Sequence, residues 1–496
     1  MAQTPPLLKS IYKDSLSLLT DLYELTMAYA YWKNGLADRK AAFQLFFRKP
    51  PFLGSLATCA GTQLACEFIE NFSFDQDDLN YLANLKNPGG GTLFEDPFLR
   101  FLEKMEISLN VDAMEEGTPV FPFEPMIRVE GPILQAQLME SALLNILNFQ
   151  TLIATKASRV CFAARGDHVV EFGLRRAQGV DGAIAASRAA YIGGCHSTSH
   201  VLAGKLFGIP VMGTHAHSWV MTFDDEEEAF GAFADALPHN GIFLIDTYNT
   251  VEGVKKAVRV AKRQKEKGYP LLAVRLDSGD LNILSNQVRK ILDEEGFPEA
   301  KIMATNELTE QIISDLKHQG AKINLWGVGT NLVTAKDQPA LDGVYKLSAV
   351  EGENGEWIDR LKISEQVIKT TNPGISQVRR YESSEGYVAD MLYDTHIGPG
   401  SQIIHHTDPG AKRKVKENWS IADLLIPMLR EGKSVYSHPS IEKMRARTYQ
   451  ELDKFPKSMR RLLNPQLYFT GIEEALFQKK IKMIEEIQKD ASASDR

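Results

Sequence analysis

Cysteine is scarce: 496 residues contain four, Cys59, Cys66, Cys161 and Cys195, with no CxxC pair and no zinc-like spacing. That excludes a disulfide framework and a thiolate metal centre, and it fits buried or idle thiols in a reducing compartment. Long apolar runs are missing too. No window holds the roughly 18 uninterrupted apolar residues of a membrane span, and the opening MAQTPPLLKSIYKDS lacks the apolar core of a secretion signal. The expectation is a cytoplasmic protein with no membrane partner. Positive charge is in deficit, with 56 Lys and Arg against 64 Asp and Glu and a net charge of -8, so no overall field draws in nucleic acid. An anionic ligand must therefore meet cations placed locally. Repeats of fixed period and low-complexity segments are absent as well. What remains, 44% hydrophobic and 24% charged, is an ordinary globular composition with length for two or three domains.

Organisation comes from the alternation of elements. Short β-rich runs recur from about residue 159: RVCFAA, HVVEFG, AYIGGC, IPVMGT, GIFLIDT, PLLAVRLD, KIMATN and INLWGVG. Between them 177–190, 252–264, 279–294 and 307–318 read as helices. Strands alternating with helices predict a parallel sheet, and about eight such strands would close a barrel. The expected class is α/β: an irregular or incomplete TIM-like α/β barrel over 151–345. An α+β N-terminal domain (1–150) precedes it, and a C-terminal domain (346–496) of β-hairpins and helices packs back on the first. In the flanks, 15–34 reads as a helix, 41–47 as a strand and 344–392 as hairpins with EGENGE as a loop. Helices are expected near 420–430, 439–453 and 470–490.

Reactive residues of a parallel barrel belong at the C-terminal ends of its strands. Those ends are EFGLRR, GGCHSTSH, GTHAH, IDTYN, RLDSGD, TNE and WGVGTN. In WGVGTN, Gly327, Gly329 and Thr330 can present N–H groups to a phosphate or simply make a turn. RLDSGD places Arg275, Asp277 and Asp280 together, which suits a ligand with an anionic group and sugar hydroxyls; a strand-end ion pair with a helix cap is the plainer reading. Of Arg175 and Arg176, one should face the mouth. The acids Asp224 to Glu228 open a helix, where the dipole favours them. His215 and His217 would point the same way on a continuing strand. They read as half of an HxH metal site, though later strand ends supply no histidine, or as a nucleophile oriented by a carboxylate such as Asp246, or as packing residues.

Nine segments in order, LLTDLYELTMA, EGTPVFPFEP, EFGLRRAQG, VLAGKLFGIPVMGTHAHSWV, LIDTYNT, VRLDSGDL, WGVGTNLVT, VYKL and RLLNPQLYFT, resemble the nicotinate phosphoribosyltransferases. The resemblance implies an enzyme of NAD salvage joining nicotinate to phosphoribosyl pyrophosphate, driven by ATP hydrolysis and aided by Mg2+ whose protein ligands are unassigned. It implies that His217 is phosphorylated by ATP, that Asp246 orients its ring, and that His215 is a wall residue. Asp246 and Asp277 would supply negative charge and ribose contacts. Arg275, Arg175 and Thr214 would meet nicotinate, Phe172 and Tyr23 would stack on its ring, and Gly327, Gly329 and Thr330 would hold the 5′-phosphate. Tyr23 would come from a second subunit, which implies a homodimer. The chain departs from the family pattern at His196, Ser197 and His200, and at Ser376, where a lysine is usual; Lys369, Arg379 or Arg380 are candidate replacements. Rival readings are a nicotinamide-using enzyme, a barrel metal-dependent hydrolase and a non-catalytic sensor. Hydroxyls at Thr198 and Ser199, where an amide would need a carboxylate, favour the acid substrate.

Overall fold

The structure, a computed structural model, describes residues 15–363 and 370–494, so Lys369 lies outside the described residues. A six-stranded parallel sheet forms the centre: β1 (His168–Glu171), β2 (Ser197–Thr198), β3 (Ile242–Leu244), β4 (Ala273–Leu276), β5 (Lys301–Ala304) and β6 (Leu325–Val328). Their spatial order is β2-β1-β6-β5-β4-β3. The helices that frame it are α1 (Glu140–Ala163), α2 (Gly179–Ile192), α3 (His217–Val220), α4 (Glu226–Ala236), α5 (Thr250–Glu266), α6 (Leu281–Glu294), α7 (Glu310–His318) and α8 (Thr330–Val333). Asn249, Asp280 and Thr309 cap α5, α6 and α7 by accepting the N–H of Glu252, Ile283 and Ile312. Asp280 is therefore a capping residue.

The sheet is an incomplete barrel. Beyond β2 a single bridge, Thr198 to Val211, continues it, and among the described residues no strand covers the outer edge of β3. Three expected strands are absent. RVCFAA is the end of the 24-residue helix α1, whose apolar period runs on unbroken from Glu140. AYIGGC begins in the last turn of α2, and its Gly193, which ends the helix, lies so close to α1 that a Cβ would stand 2.2 Å from Ala154 O. In IPVMGT, Pro210 has no N–H for a ladder and only Val211 pairs.

Side chains alternate along each strand, so one layer of the interior is Val170, Ile242, Ala273, Met303 and Leu325, packed together under Phe172 and Met212. Two residues further along β4, β5 and β6 the next layer holds Arg275, Thr305 and Gly327. An apolar plug thus lies directly beneath a polar mouth.

Two other sheets flank this core. A seven-stranded one joins Lys40–Phe46, Asn110–Ala113 and Ile127–Pro132 to Val344–Glu351, Trp357–Asp359, Ile426–Arg430 and Lys433–Ser434. The EGENGE hairpin is present, with Glu351 opposite Trp357. A six-stranded sheet contains the hairpin Ser376–Ser383/Gly386–Asp394 and the strand Thr470–Glu473. The expected helix near 420–430 is instead two strands, Ser420–Asp423 and Ile426–Arg430. Pro427 explains it: it lacks the N–H of a helix interior and sits at a register shift of the ladder. Helix Ile441–Asp453 lies where expected, the helix expected near 470–490 begins only at Glu474 because Thr470–Glu473 is a strand, and no helix among the described residues is long and apolar enough to cross a membrane.

Candidate active site

Arg275, on the mouth side of β4, organises the site. Its Nε donates to Thr305 Oγ1 (3.0 Å), Nη1 to Thr214 Oγ1 (3.0 Å) and Nη2 to Asp277 Oδ1 (3.1 Å). The Thr305 hydroxyl also donates to Asp277. The guanidinium lies 5.7 Å from the centroid of the Phe172 ring. Of the five N–H groups of an arginine, three are engaged in these bonds and two remain for a planar anion.

Phe172 owes its place to a glycine. A Cβ on Gly327 would stand 2.6 Å from Thr305 Cγ2 and 2.8 Å from Phe172 Cδ2. We expect Gly327→Ala to displace that ring and to cost about 1–3 kcal/mol of stability, the usual range for overpacking. Urea unfolding tests this; an unchanged midpoint would show that the ring has room.

His217 opens α3 from the loop that follows Val211. Its Nδ1 is 3.1 Å from Thr247 Oγ1, and its Nε2 is 3.8 Å from Asp277 Oδ2, beyond hydrogen-bond reach, with the side chain 38% exposed. The expected Asp246–His217 bond is not made. Asp246 Oδ2 instead accepts from the Asp277 N–H and the Ser278 hydroxyl, both at 2.7 Å, while its buried Oδ1 has no partner. Side chains alternate along the segment that leaves β3, so the residue beside Asp246, Thr247, meets the ring. An unpartnered buried carboxylate oxygen is costly and marks a place for a ligand hydroxyl or a hydrated cation.

The two histidines of GTHAH diverge because the strand does not continue. His215 is buried and packs edge-on to Phe233, with centroids 4.9 Å apart. Thus His217, Thr247, Asp246, Asp277, Arg275, Thr214, Phe172 and Gly327 form one connected cluster. Gly329 and Thr330 start the short α8 beside it, and a Cβ on Gly329 would be 3.1 Å from Phe172 O. Arg175 and Arg176 are both exposed on the turn after β1 and form no ion pair among the described residues, so neither joins the cluster here. Tyr23, on the helix Leu22–Lys33, is 46% exposed beside Glu140 and Glu24, away from the cluster. Thr247, Thr305 and Ser278 were not singled out in the sequence, although each lies in a strand-end segment.

The departures have structural explanations. His196 stacks on His168 with centroids 4.3 Å apart, at the opposite end of the strands from the cluster, and burial with Arg445 nearby pushes it down to about 4. His200 is buried and lies 3.2 Å from Ser187 Oγ. Ser187 and Thr198 donate to Glu171 Oε2 at 2.8 and 2.6 Å, so the Thr198 hydroxyl serves the scaffold. Ser376 is fully buried against Gln44 (3.0 Å). Neither expected replacement cation is free: Arg380 is buried on Asp390 (2.6 Å), and Arg379 pairs with Asp423 (2.8 Å). A cavity of about 870 Å³, lined by Cys161, Phe162, Tyr449 and Leu463, includes none of the cluster.

A cation fork and carboxylates gathered beside an exposed imidazole at the C-terminal ends of parallel strands form the arrangement of α/β-barrel enzymes. Known proteins narrow the class. The nicotinate phosphoribosyltransferase (NAPRTase) N-terminal domain model matches residues 18–148, and the C-terminal domain model matches residues 376–480. The nicotinate phosphoribosyltransferase of Bacillus subtilis is 41% identical over 483 residues, spanning 96% of each chain. The crystal structure of human nicotinic acid phosphoribosyltransferase superposes with a TM-score of 0.79 at 30% identity, covering 93% of this chain and 99% of that one. A nicotinate-nucleotide pyrophosphorylase from Pyrococcus furiosus, 22% identical with a TM-score of 0.69 over 92% of this chain and 99% of its own, shares the fold. The chain belongs to the nicotinate phosphoribosyltransferase family.

Proposed function

We propose that the protein converts nicotinate, phosphoribosyl pyrophosphate, ATP and water to nicotinate mononucleotide, pyrophosphate, ADP and phosphate, in the salvage of pyridine nucleotides. The observation that carries this reading is the Arg275 fork: a guanidinium with two uncommitted N–H groups, 5.7 Å from the centroid of the Phe172 ring, pairs a donor for a carboxylate with an aromatic face. The pyridine nitrogen bonds to the ribose anomeric carbon as the bond from that carbon to pyrophosphate breaks. Asp277 and Asp246 lie where negative charge favours the cationic ribose in between. Gly329 and Thr330 open α8, whose first N–H groups have no helical partners, and suit the 5′-phosphate; Gly327 serves by making room for the Phe172 ring.

His217 is the phosphorylated group in this reading. The Thr247 hydroxyl holds Nδ1 at 3.1 Å, which leaves Nε2 as the nitrogen free to react. It attacks the terminal phosphorus of ATP as ADP leaves, and water later cleaves the P–N bond. Mg2+ would neutralise charge on the leaving pyrophosphate. The residues that fit its hydration shell are Asp246, through the unpartnered Oδ1, and Asp277.

Exposed Tyr23 supports delivery to a second copy's site, hence a homodimer, and the four free, buried cysteines support a reducing, cytoplasmic setting. The test is product formation from nicotinate and from nicotinamide, each with and without ATP. We expect kcat/KM for nicotinate to exceed that for nicotinamide by about 10⁴-fold, the discrimination typical of a site that bonds a particular polar group. Preference for nicotinamide would overturn the assignment.

A further inference from the structure

His215 lies where the barrel fails to close. On its paired side the chain of β3 is bound to β4, with Ile245 N–H donating to Arg275 O (3.2 Å). N–H groups alternate sides along a strand, so the Leu244 N–H faces the open edge. There it donates to Nε2 of His215 at 3.2 Å. The ring is 6% exposed and is gripped by Phe230, Phe233 and Phe243. Burial, with Arg275 and His217 nearby, pushes its pKa down to about 4, so at neutral pH Nε2 remains an acceptor. Its Nδ1 proton faces Ala216 O at 3.4 Å.

We propose that His215 is a positioning residue for His217: its side chain supplies the acceptor that a neighbouring strand would have given β3, fixing the 214–217 loop against that strand. Two short rungs then join the segments. His215 bonds to Leu244, and His217 bonds to Thr247 three residues further on. Thr214, just before the first rung, carries the Arg275 contact. The kinetic part of this inference rests on His217 being the phosphorylated group; the rung itself does not.

The experiment compares the full-length wild type with His215→Gln, whose amide oxygen can reach the place of Nε2, and His215→Phe, which keeps a ring without an acceptor. Hydrogen exchange read by mass spectrometry should show the Leu244 amide protected in the wild type and in H215Q, and exchanging at least about tenfold faster in H215F. ATP-stimulated turnover and phosphate labelling of His217 should fall by about tenfold in H215F and recover most of that loss in H215Q. A Leu244 amide that exchanges freely in the wild type overturns the proposal without any variant. So does an H215F protein with undiminished ATP stimulation, or equal losses in both variants, which would mean that only packing matters. Should H215F fail to fold, H215L takes its place. If the wild type makes no nicotinate mononucleotide, the assigned function falls, and the exchange result alone decides the rung.

Discussion

Replacing His217 with alanine is expected to abolish labelling of the protein by the terminal phosphate of ATP and to reduce turnover in the presence of ATP to its ATP-independent level. The loss should be on the order of 10² to 10⁴, the range for removing a positioned group that takes direct part in bond making. Stability should change little, because the side chain is 38% exposed and its ring hydrogen-bonds to the Thr247 hydroxyl at the surface rather than packing in the core. The measurement pairs kcat with and without ATP with phosphate incorporation, and a melting curve serves as control. A variant that still accepts label, or that responds to ATP as the wild type does, places the phosphoryl group elsewhere. Thr247→Val asks a subtler question of the same geometry, since it removes the hydroxyl that holds Nδ1 and leaves Nε2 untouched.

The second large effect concerns Arg275. Truncation to alanine removes the fork and leaves Asp277 in a half-buried site with no cation, while Thr214 and Thr305 each lose a partner. Truncating one member of such a hydrogen-bonded charge pair costs about 2–5 kcal/mol. In kcat/KM for nicotinate that corresponds to roughly 30- to 4000-fold. Lysine at this position should restore little, because a point charge cannot hold three hydroxyl and carboxylate acceptors and still offer a planar pair of donors. Steady-state kinetics for R275A and R275K checks both statements. An unchanged KM and kcat for nicotinate in R275A would show that another group receives the carboxylate.

Much of this arrangement was legible in the chain because the sequence marks its strand ends clearly. HVVEFG, GIFLIDT, AVRLDSGD and LWGVGTN each pass from an apolar run to glycine or aspartate, and each is a strand followed by a site segment. Arg275 stood out because an arginine in an apolar strand demands an anion. Other features depend on tertiary context. RVCFAA and AYIGGC have strand-like composition, yet they finish helices whose periodicity begins a dozen or more residues earlier, and only the longer window shows it. His217 meets the Thr247 hydroxyl in place of the expected Asp246 carboxylate one residue earlier, because a segment leaving a strand alternates its faces and nothing local fixes which face meets the loop. Thr247 and Thr305 were passed over because hydroxyl residues are common at strand ends. Their importance comes from what stands opposite them.

An unclosed parallel sheet has a liability that a closed barrel lacks: its free edge can recruit a strand from another molecule and begin aggregation. In this chain the edge without a partner strand is only the three buried residues Ile242–Leu244, and its outward Leu244 N–H is already taken by the His215 imidazole. The Thr198–Val211 bridge covers the other end of the sheet. The contact that steadies the histidine loop thereby also guards solubility, so substitutions at His215 should be watched for self-association as well as for lost turnover.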